Sequence, residues 1–216
     1  MKEFVLFDLG NTLARYYELC DFPPVLEAAI GEVEQWLGTK ADWDRVQSEN
    51  FEAKDFRVRS LEGRLSRIFP DAGWPEDDAL EACRRFMRPI FALAHVYDDV
   101  RPALDALRAR GIRTAVVSNT PWGSPAVLWR EEMDRLGLGD AVDAAVFCPD
   151  CGWRKPARQI FEHTLERLGA RPAQCVFVGD DPRWDVAGPQ AVGIEAVLID
   201  RKTQTLADAL KGAVTL

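Results

Sequence analysis

The sequence lacks the features of secreted, membrane-spanning and nucleic-acid-binding proteins. Its first residues, MKEFVLFDLGNT, hold only a short apolar run before Asp8, so we expect neither a signal peptide nor a spanning helix there. There is no basic excess, because 35 acidic residues outnumber 27 basic ones and give a net charge of -8. Such a charge repels nucleic acid and anionic lipid surfaces. We therefore predict a cytoplasmic protein with neither a nucleic-acid nor a membrane partner.

Cysteine and histidine are too few and too scattered to form a framework of disulfides or zinc sites. The five cysteines are an odd number and are expected to be reduced thiols. Cys148 and Cys151 form a CPDC pair, which resembles half of a zinc site or a redox couple. A structural zinc would need two more ligands, and His95 and His163 each stand alone. We interpret the cysteine pair as incidental.

Apolar runs that end at polar residues indicate strands of a parallel sheet that is covered on both faces. Helical patterns at 101–110 and 156–168 lie between them, and we place Pro156 in the first turn of the second helix. Strand followed by helix, repeated, predicts an α/β fold with a Rossmann-like parallel sheet and helices on both faces. The predicted strands are 2–8, 114–119, 143–148, 175–180 and 195–199.

The stretch from Pro23 to Ala94 breaks this alternation and has apolar residues at helical spacing throughout. Breaks at Gly38, at 70–75 and near 95–98 divide it into about four helices. A chain of 216 residues is long enough for one core and an inserted module. We therefore predict a helical bundle inserted after the first strand.

Four fragments fall at strand ends, where open parallel sheets bind their ligands. In order they are FDLGNTL, VVSNT, GWRKP and VGDDPRWD. Together they resemble the four motifs of the haloacid dehalogenase superfamily, and the helical insertion resembles the cap domain of that superfamily. The resemblance implies a core domain of residues 1–15 and 97–216 and a cap domain of residues 16–96.

The resemblance also implies a metal-assisted phosphatase. Asp8 would be the nucleophile that is transiently phosphorylated. Mg²⁺ would be held by Asp8, the backbone carbonyl of Gly10 and Asp180, because two close carboxylates repel one another unless a cation lies between them. Asp185 would bind the metal through water or orient Lys155, and Asp181 would lie beside these ligands.

The phosphoryl group would be held by a second set of residues. The resemblance implies that Lys155 neutralises the phosphoryl oxygens as charge moves between them. Thr12, Ser118 and Asn119 would donate hydrogen bonds to the same oxygens. The cap would select the organic part of a small phosphorylated substrate.

One position departs from the pattern of active phosphatases in this superfamily. They carry a second aspartate two residues after the nucleophile, as general acid and base, and this chain has Gly10. Loss of such a group typically costs about a hundred- to ten-thousand-fold in rate. Three alternatives remain: substrates with good leaving groups, a slow enzyme that chiefly binds a phosphorylated ligand, or a replacement acid. The candidates for that acid are Asp181, Asp21, Tyr16 and Tyr17.

Dehalogenases of the superfamily also lack the second aspartate but need no metal. The chain retains Asp180 and Asp185, which a metal-free displacement would not need close to another carboxylate. We rank a phosphatase first, a catalytically weak binding or regulatory protein second and a 2-haloacid dehalogenase third. The sequence leaves a monomer and a homodimer equally open.

Overall fold

A computed structural model describes residues 2–17, 19–72 and 78–214, and its centre is a sheet of five parallel strands. In chain order the strands are β1 (Phe4–Phe7), β2 (Ala14–Arg15), β3 (His95–Val96), β4 (Arg113–Ser118), β5 (Ala144–Phe147), β6 (Cys175–Gly179) and β7 (Glu195–Leu198). The parallel sheet has the order β5-β4-β1-β6-β7, and β2 pairs with β3 in a separate antiparallel ribbon. All five predicted strands are confirmed, with ends close to those expected.

The central strands divide their side chains between two hydrophobic clusters, one on each face of the sheet. From β1, Val5 and Phe7 join one cluster, and Phe4 and Leu6 join the other. β4 and β6 divide their residues in the same way. Because both faces are covered, these strands are apolar without alternation, as buried parallel strands are.

In the described residues between β2 and β3, four α-helices form the inserted module. They are α1 (Phe22–Leu37), α2 (Trp43–Glu49), α3 (Leu61–Ile68) and α4 (Ala79–Ala92). Gly38 ends α1 at the predicted break and has a left-handed φ of 67°, which is common for a glycine after a helix. The side chains of Asp42 and Ser60 accept backbone hydrogen bonds at the starts of α2 and α3. The predicted break at 70–75 lies partly outside the described residues.

The other helices cover the two faces of the sheet. They are α5 (Val100–Ala109), α6 (Ala126–Arg135), α7 (Cys148–Cys151), α8 (Arg158–Leu168), α9 (Gly188–Gln190) and α10 (Leu206–Leu210). α5 and α10 pack in one cluster and α8 in the other, which confirms helices on both faces. Among the described residues, no helix combines the length and the apolar character that crossing a bilayer requires.

The start of α8 corrects one expectation. Pro156 was predicted to lie in the first turn, but the helix begins at Arg158. Ala157 is extended, and its N–H donates to the carbonyl of Arg154 in a turn. The side chain of Asn119 binds the backbone N–H and carbonyl of Lys155, so this residue lies outside the helix.

In the described residues, backbone pairing joins the inserted module to the sheet domain at two places. The ribbon of β2 and β3 brings together the points at which the chain leaves the sheet and returns. A second pairing joins residues 56–58 to residues 152–154, where Val58 N–H donates to Gly152 at 2.9 Å and Arg154 N–H donates to Phe56 at 2.8 Å. The module therefore contacts the loop directly before Lys155.

Gly123 provides a test of this close packing. Its φ is 68°, and a Cβ at this position would overlap the carbonyl oxygen of Arg59 in the module. Gly137 has the same φ of 68° and open space around the corresponding position. We expect Gly137→Ala to cost about 1–2 kcal/mol for the left-handed backbone alone. Gly123→Ala must also displace the module and should cost clearly more.

Urea unfolding of both variants measures the difference, because the lost stability is read from the midpoint and slope. Equal losses of stability in the two variants would show that moving the module away from residue 123 costs no free energy.

Candidate active site

Three neighbouring strands end at polar residues that the sequence singles out. Asp8 follows β1, Ser118 ends β4, and Asp180 follows β6. β1 lies between β4 and β6, and the N–H of Asp8 donates to the carbonyl of Val178 in β6 at 3.0 Å. The carboxyl ends of parallel strands meet at one edge of the sheet, where such folds bind ligands. A cavity of about 220 Å³ lies at this edge.

The cavity lining joins residues of the sheet domain and the inserted module. The predicted site residues in it are Asp8, Gly10, Ser118, Asn119, Lys155, Asp180 and Asp181. The others are Asn11, Tyr16, Tyr17, Ile90, Pro121, Trp129 and Trp184. The volume is below that of pockets for drug-sized ligands, so the cavity suits a small molecule.

Lys155 lies between two carboxylates in the interior. Its Nζ donates to Oδ1 of Asp8 at 2.7 Å and to Oδ1 of Asp185 at 2.6 Å, and the lysine is only 1% exposed. Burial lowers the pKa of the Lys155 ammonium, but the charges of Asp185 and Asp8 outweigh it and raise that pKa above its usual value. Lys155 is therefore a fixed positive charge beside Asp8.

Asp185 accepts hydrogen bonds from the Lys155 ammonium and from a backbone N–H, and the two roles expected for it, binding the metal through water or orienting Lys155, stay predictions. One carboxylate oxygen accepts from Lys155, and the other accepts from the N–H of Asp181 at 3.1 Å. Asp185 belongs to a π-helical turn, Pro182–Ala187, and a Cβ on Gly179 would overlap its side chain. A glycine at 179 is therefore needed for Asp185 to reach the lysine.

The side-chain amide of Asn119 holds the backbone of Lys155, and a hydrogen bond from Asn119 to a phosphoryl group stays a prediction. Its side-chain oxygen accepts from the Lys155 N–H at 2.7 Å, and its side-chain nitrogen donates to the Lys155 carbonyl at 3.2 Å. Both ends of the amide are occupied by this one backbone unit. The asparagine after β4 thus fixes the segment that carries the lysine.

Asp180 completes a group of three carboxylates. One oxygen from each of Asp8, Asp180 and Asp185 lies within 4.8 Å of the others. Burial raises the pKa of Asp180 to about 7, and the charges of Asp8 and Asp185 act in the same direction. The three carboxylates outnumber the one ammonium of Lys155, so the site carries an excess of negative charge.

This donor set fits a magnesium ion. All its atoms are hard oxygens, which Mg²⁺ prefers. Among the described residues, the Asp180 carboxylate accepts only from its own backbone N–H and nothing donates to Oδ2 of Asp8, whereas both oxygens of Asp185 are occupied by other residues. Asp8 and Asp180 thus have the less occupied carboxylates, and Gly10 lies beside them in the lining.

Three other predicted residues differ in their surroundings. Ser118 is buried in the lining, and its hydroxyl donates to the Asn119 carbonyl at 3.2 Å. Asp181 accepts from the N–H groups of Arg183 and Trp184 and so caps the π-helical turn. Thr12 is completely buried and lies outside the lining, and its hydroxyl has no hydrogen-bond partner among the described residues. Direct contact of Thr12 with a ligand stays a prediction.

Gly10 leaves open space where the expected second acid would lie. It lines the cavity, and no atom lies within 4 Å of the position that a Cβ would take. Its φ is outside the left-handed region, so a side chain causes no backbone strain. An aspartate at this position is therefore sterically possible, and the chain simply does not have one.

Sequence reasoning missed two apolar walls of the cavity. Ile90 comes from α4 of the inserted module, and Trp129 comes from α6. Both belong to ordinary amphipathic helices, and nothing in their sequence distinguishes them from core residues. The docking of the module brings Ile90 to the site, and the packing of α6 within the sheet domain brings Trp129.

The CPDC pair shows no sign of a metal site. Cys148 is buried, and its sulfur accepts from the Thr120 N–H at 3.3 Å. Cys151 Sγ is 3.7 Å from the Cys148 carbonyl oxygen. In the described parts of the chain, the three aspartates form the one cluster of possible metal ligands.

Comparison with known proteins agrees with this geometry. A family model described as haloacid dehalogenase-like hydrolase matches residues 3–193. The ribulose-1,5-bisphosphate 5-phosphatase of Halopiger xanaduensis is 31% identical over 99% of this chain and 90% of its own length. The phosphoglycolate phosphatase of Rhodospirillum rubrum is 36% identical over 92% and 80%. The crystal structure of a HAD phosphatase from Thermococcus onnurineus has a TM-score of 0.65 at 26% identity, covering 95% of this chain and 89% of that one.

The raised pKa of Asp180 makes a prediction about stability. A carboxyl whose folded pKa is about 7, against roughly 4 when unfolded, stabilises the fold fully at low pH and loses this effect as the pH rises through 7. In metal-free protein at pH 8, Asp180→Asn should therefore raise Tm by about 2–4 °C, or roughly 1 kcal/mol. The gain should shrink at pH 5.

Thermal unfolding with EDTA at the two pH values measures this effect. Asp105→Asn is the matched control, because Asp105 is exposed and should change Tm little at either pH. An Asp180→Asn variant with the wild-type Tm at both values would contradict the repulsion described here.

Proposed function

Because the chain belongs to the haloacid dehalogenase-like hydrolase family, we propose that it is a magnesium-dependent phosphatase of a small phosphorylated metabolite. Family membership confirms the predicted resemblance and the expectation of a hydrolase. The observation that carries the proposal is the arrangement of Asp8, Lys155 and Asp180 at one cavity, with buried Asp185 bonded to the lysine.

In the first step, Asp8 attacks the phosphorus atom of the substrate. A carboxylate oxygen of Asp8 forms a bond to phosphorus, the bond from phosphorus to the leaving oxygen breaks, and that oxygen keeps the electron pair. An aspartyl-phosphate is the product, and the difficult hydrolysis is divided into two easier displacements. The hydrogen bond from Lys155 and the anchoring of the Asp8 N–H on β6 hold the attacking group in place.

Lys155 and Ser118 act on the phosphoryl oxygens. Asp185 holds the ammonium of Lys155 and Asn119 holds its backbone, so the charge of the lysine stabilises the phosphoryl oxygens without reorganising. Among the described residues, the Ser118 hydroxyl donates only to the Asn119 carbonyl, and it can turn to donate to a phosphoryl oxygen. In the second step, water attacks phosphorus and the carboxylate of Asp8 is released.

Asp8, Asp180 and the carbonyl of Gly10 would hold Mg²⁺, as their free oxygens and location support. When bound, the ion supplies positive charge that offsets the carboxylates and the phosphoryl oxygens. Without the ion, the negative charge of Asp180 repels the phosphate of the substrate. Neutralising the Asp180 carboxylate therefore favours substrate binding.

The helical insertion, residues 16–96, is proposed to act as a cap on the core of residues 1–15 and 97–216. Ile90 supports this proposal, because it belongs to the inserted module and lines the cavity. The cap would exclude water and select the organic part of the substrate.

A second candidate function follows from Gly10, which supplies no acid to the leaving group. The protein would then bind a phosphorylated ligand and turn it over slowly, or regulate a partner. The same observation favours substrates that leave readily, such as acyl phosphates and sugar-1-phosphates. A dehalogenase ranks third, since the excess of carboxylates beside Asp8 opposes a metal-free displacement.

Asp8→Asn should abolish phosphate release with magnesium, because an amide does not form the aspartyl-phosphate. Release is measured over acyl phosphates, sugar phosphates and nucleotides, with magnesium or EDTA. Asp105→Asn controls for loss of a carboxylate elsewhere and should keep full activity. Wild type that releases nothing from any compound, yet binds beryllofluoride with magnesium, would favour the binding protein.

Gly10→Asp should raise turnover of substrates with poor leaving groups by about tenfold or more, because it restores a positioned acid. Gly10→Asn is the matched control, since it has nearly the same size and no acidic proton. Equal rates for the two variants would show that the missing acid does not limit the reaction.

A further inference from the structure

A second cavity lies beside the candidate active site. Its volume is about 460 Å³, against about 220 Å³ for the active-site cavity. Asn11 and Asp180 line both cavities, so the two spaces meet at these residues. A ligand whose phosphoryl group lies at Asp8 therefore has room to extend past Asp180 into the second cavity.

The second cavity lies at the carboxyl end of the sheet, where parallel sheets bind their ligands. One wall consists of the end of β7 and the loop that follows it, residues 198–202 and 204. The other wall is the ribbon of β2 and β3, because Arg15 belongs to β2 and Tyr97 follows β3. The next residues of the ribbon, Tyr16 and Tyr17, line the active-site cavity. The ribbon thus lies between the two cavities.

Two basic side chains of the second cavity have no partner in the described residues. Arg15 and Lys202 are exposed, and neither side chain forms a hydrogen bond or an ion pair there. The third basic residue of the lining, Arg201, is already paired with Asp99. Arg15 and Lys202 are therefore the cations that remain available to a ligand in this cavity.

The one further acid of this lining, Asp200, does not pair with Lys202. Its Oδ1 accepts from the backbone N–H of Lys202 at 2.9 Å, and its Oδ2 accepts from the hydroxyl of Thr203 at 3.1 Å. Both oxygens are thus occupied inside the loop. The charge of Asp200 weakens the positive charge of the wall but leaves the Lys202 ammonium without a direct partner.

Both cations are carried by backbone that is fixed before a ligand binds. The bonds of Asp200 hold the loop that carries Lys202, and the side chain of Gln204 adds a bond to the N–H of Asp200 at 2.9 Å. Arg201 anchors the loop on Asp99, and its guanidinium lies 4.0 Å from the centre of the Tyr97 ring. Binding to such a preformed site loses less conformational entropy than ordering a flexible one.

A larger cavity between α4 and α6 shows that free cations are not general in this chain. Its volume is about 550 Å³, and four arginines line it. Each of them forms an ion pair with a glutamate: Arg84 with Glu131, Arg85 with Glu81, Arg88 with Glu32 and Arg135 with Glu132. Among the cavities of the described chain that are compared here, the one beside Asp180 is thus the better suited to an anion.

We propose that Arg15 and Lys202 bind a second anionic group of the substrate, a carboxylate or a second phosphate. This inference rests on the phosphatase function proposed above and narrows its substrate class to phosphorylated metabolites with a second anion. The guanidinium of Arg15 can donate two parallel hydrogen bonds to such a group, and Lys202 adds a point charge. Neither side chain takes part in the bond changes at phosphorus, so the pair raises affinity and selectivity.

The test uses phosphonates that cannot be hydrolysed, as competitive inhibitors of 4-nitrophenyl phosphate turnover with excess magnesium. Three families are compared: alkylphosphonates, phosphonoalkanoates with a terminal carboxylate, and bisphosphonates with one phosphonate at each end. Spacers of two to six carbons are used, so that one length spans the two cavities. The families differ in the second anion alone, and the family with the lowest inhibition constant identifies a carboxylate or a phosphate.

For wild type we expect a doubly anionic inhibitor to bind about tenfold or more tightly than the alkylphosphonate of the same length. Arg15→Gln and Lys202→Gln should each lower this ratio about fivefold, as for one charge-assisted hydrogen bond that water partly screens. The double variant should lose the preference. The preference should also weaken as the salt concentration rises.

Lys54→Gln is the matched control, because Lys54 is exposed and lies outside both linings. It removes the same charge from the protein and should leave the ratio unchanged. Wild type without a preference at any spacer length would overturn the proposal. An unchanged ratio in the double variant would do the same, and so would an equal fall in Lys54→Gln.

A failure of this proposal can be told apart from a failure of the phosphatase function. Wild type that hydrolyses neither 4-nitrophenyl phosphate nor acetyl phosphate would contradict the phosphatase function. Calorimetric titration of wild type and the double variant with the same phosphonates then tests the second cavity by itself. A preference for two anions that the double variant loses would support the site in a binding protein, and no preference would overturn it.

Discussion

The buried ammonium of Lys155, paired with Asp8 and Asp185, is the interaction on which the site depends. A charge taken out of water is tolerated only when partners compensate it, and removing one partner of such a pair typically costs about 3–5 kcal/mol. The pairing therefore constrains three distant segments at once: the end of β1, the loop before α8 and the π-helical turn. Gly179 follows from the same constraint, because any larger residue would push Asp185 away.

Charge balance explains why this arrangement is suited to a cation. Lys155 offsets one of three carboxylates, and burial together with the charges of Asp8 and Asp185 raises the pKa of Asp180 to about 7. In the described residues, no second basic side chain joins this cluster to remove the repulsion. Repulsion between fixed like charges disfavours the metal-free state and favours binding of a cation. The excess of carboxylates thus explains both the negative charge of the site and the magnesium binding that we propose for it.

Much of this could be read from the sequence, because the signals involved are local. Runs such as FVLF define buried strands, and the acids that follow β1 and β6 meet because parallel strands end together. The role of Asn119 could not be read, since an amide after a strand fits a ligand contact and a backbone clamp equally well. Ile90 and Trp129 belong to helices with ordinary core patterns, and only tertiary packing shows which of their residues reach the cavity. The start of α8 was missed for a related reason, namely that a long-range contact outweighed the helix signal of Pro156.

The loop before α8 connects the candidate site to the helical insertion. Residues 56–58 pair with residues 152–154, directly before the lysine. Asn119, which follows β4, holds the backbone of the lysine itself. The ammonium is thus oriented by the insertion, by the segment after β4 and by the π-helical turn together. Any movement of the insertion away from the sheet must break the two backbone hydrogen bonds that fix this loop. The position of the insertion and the position of Lys155 are therefore coupled through these backbone hydrogen bonds.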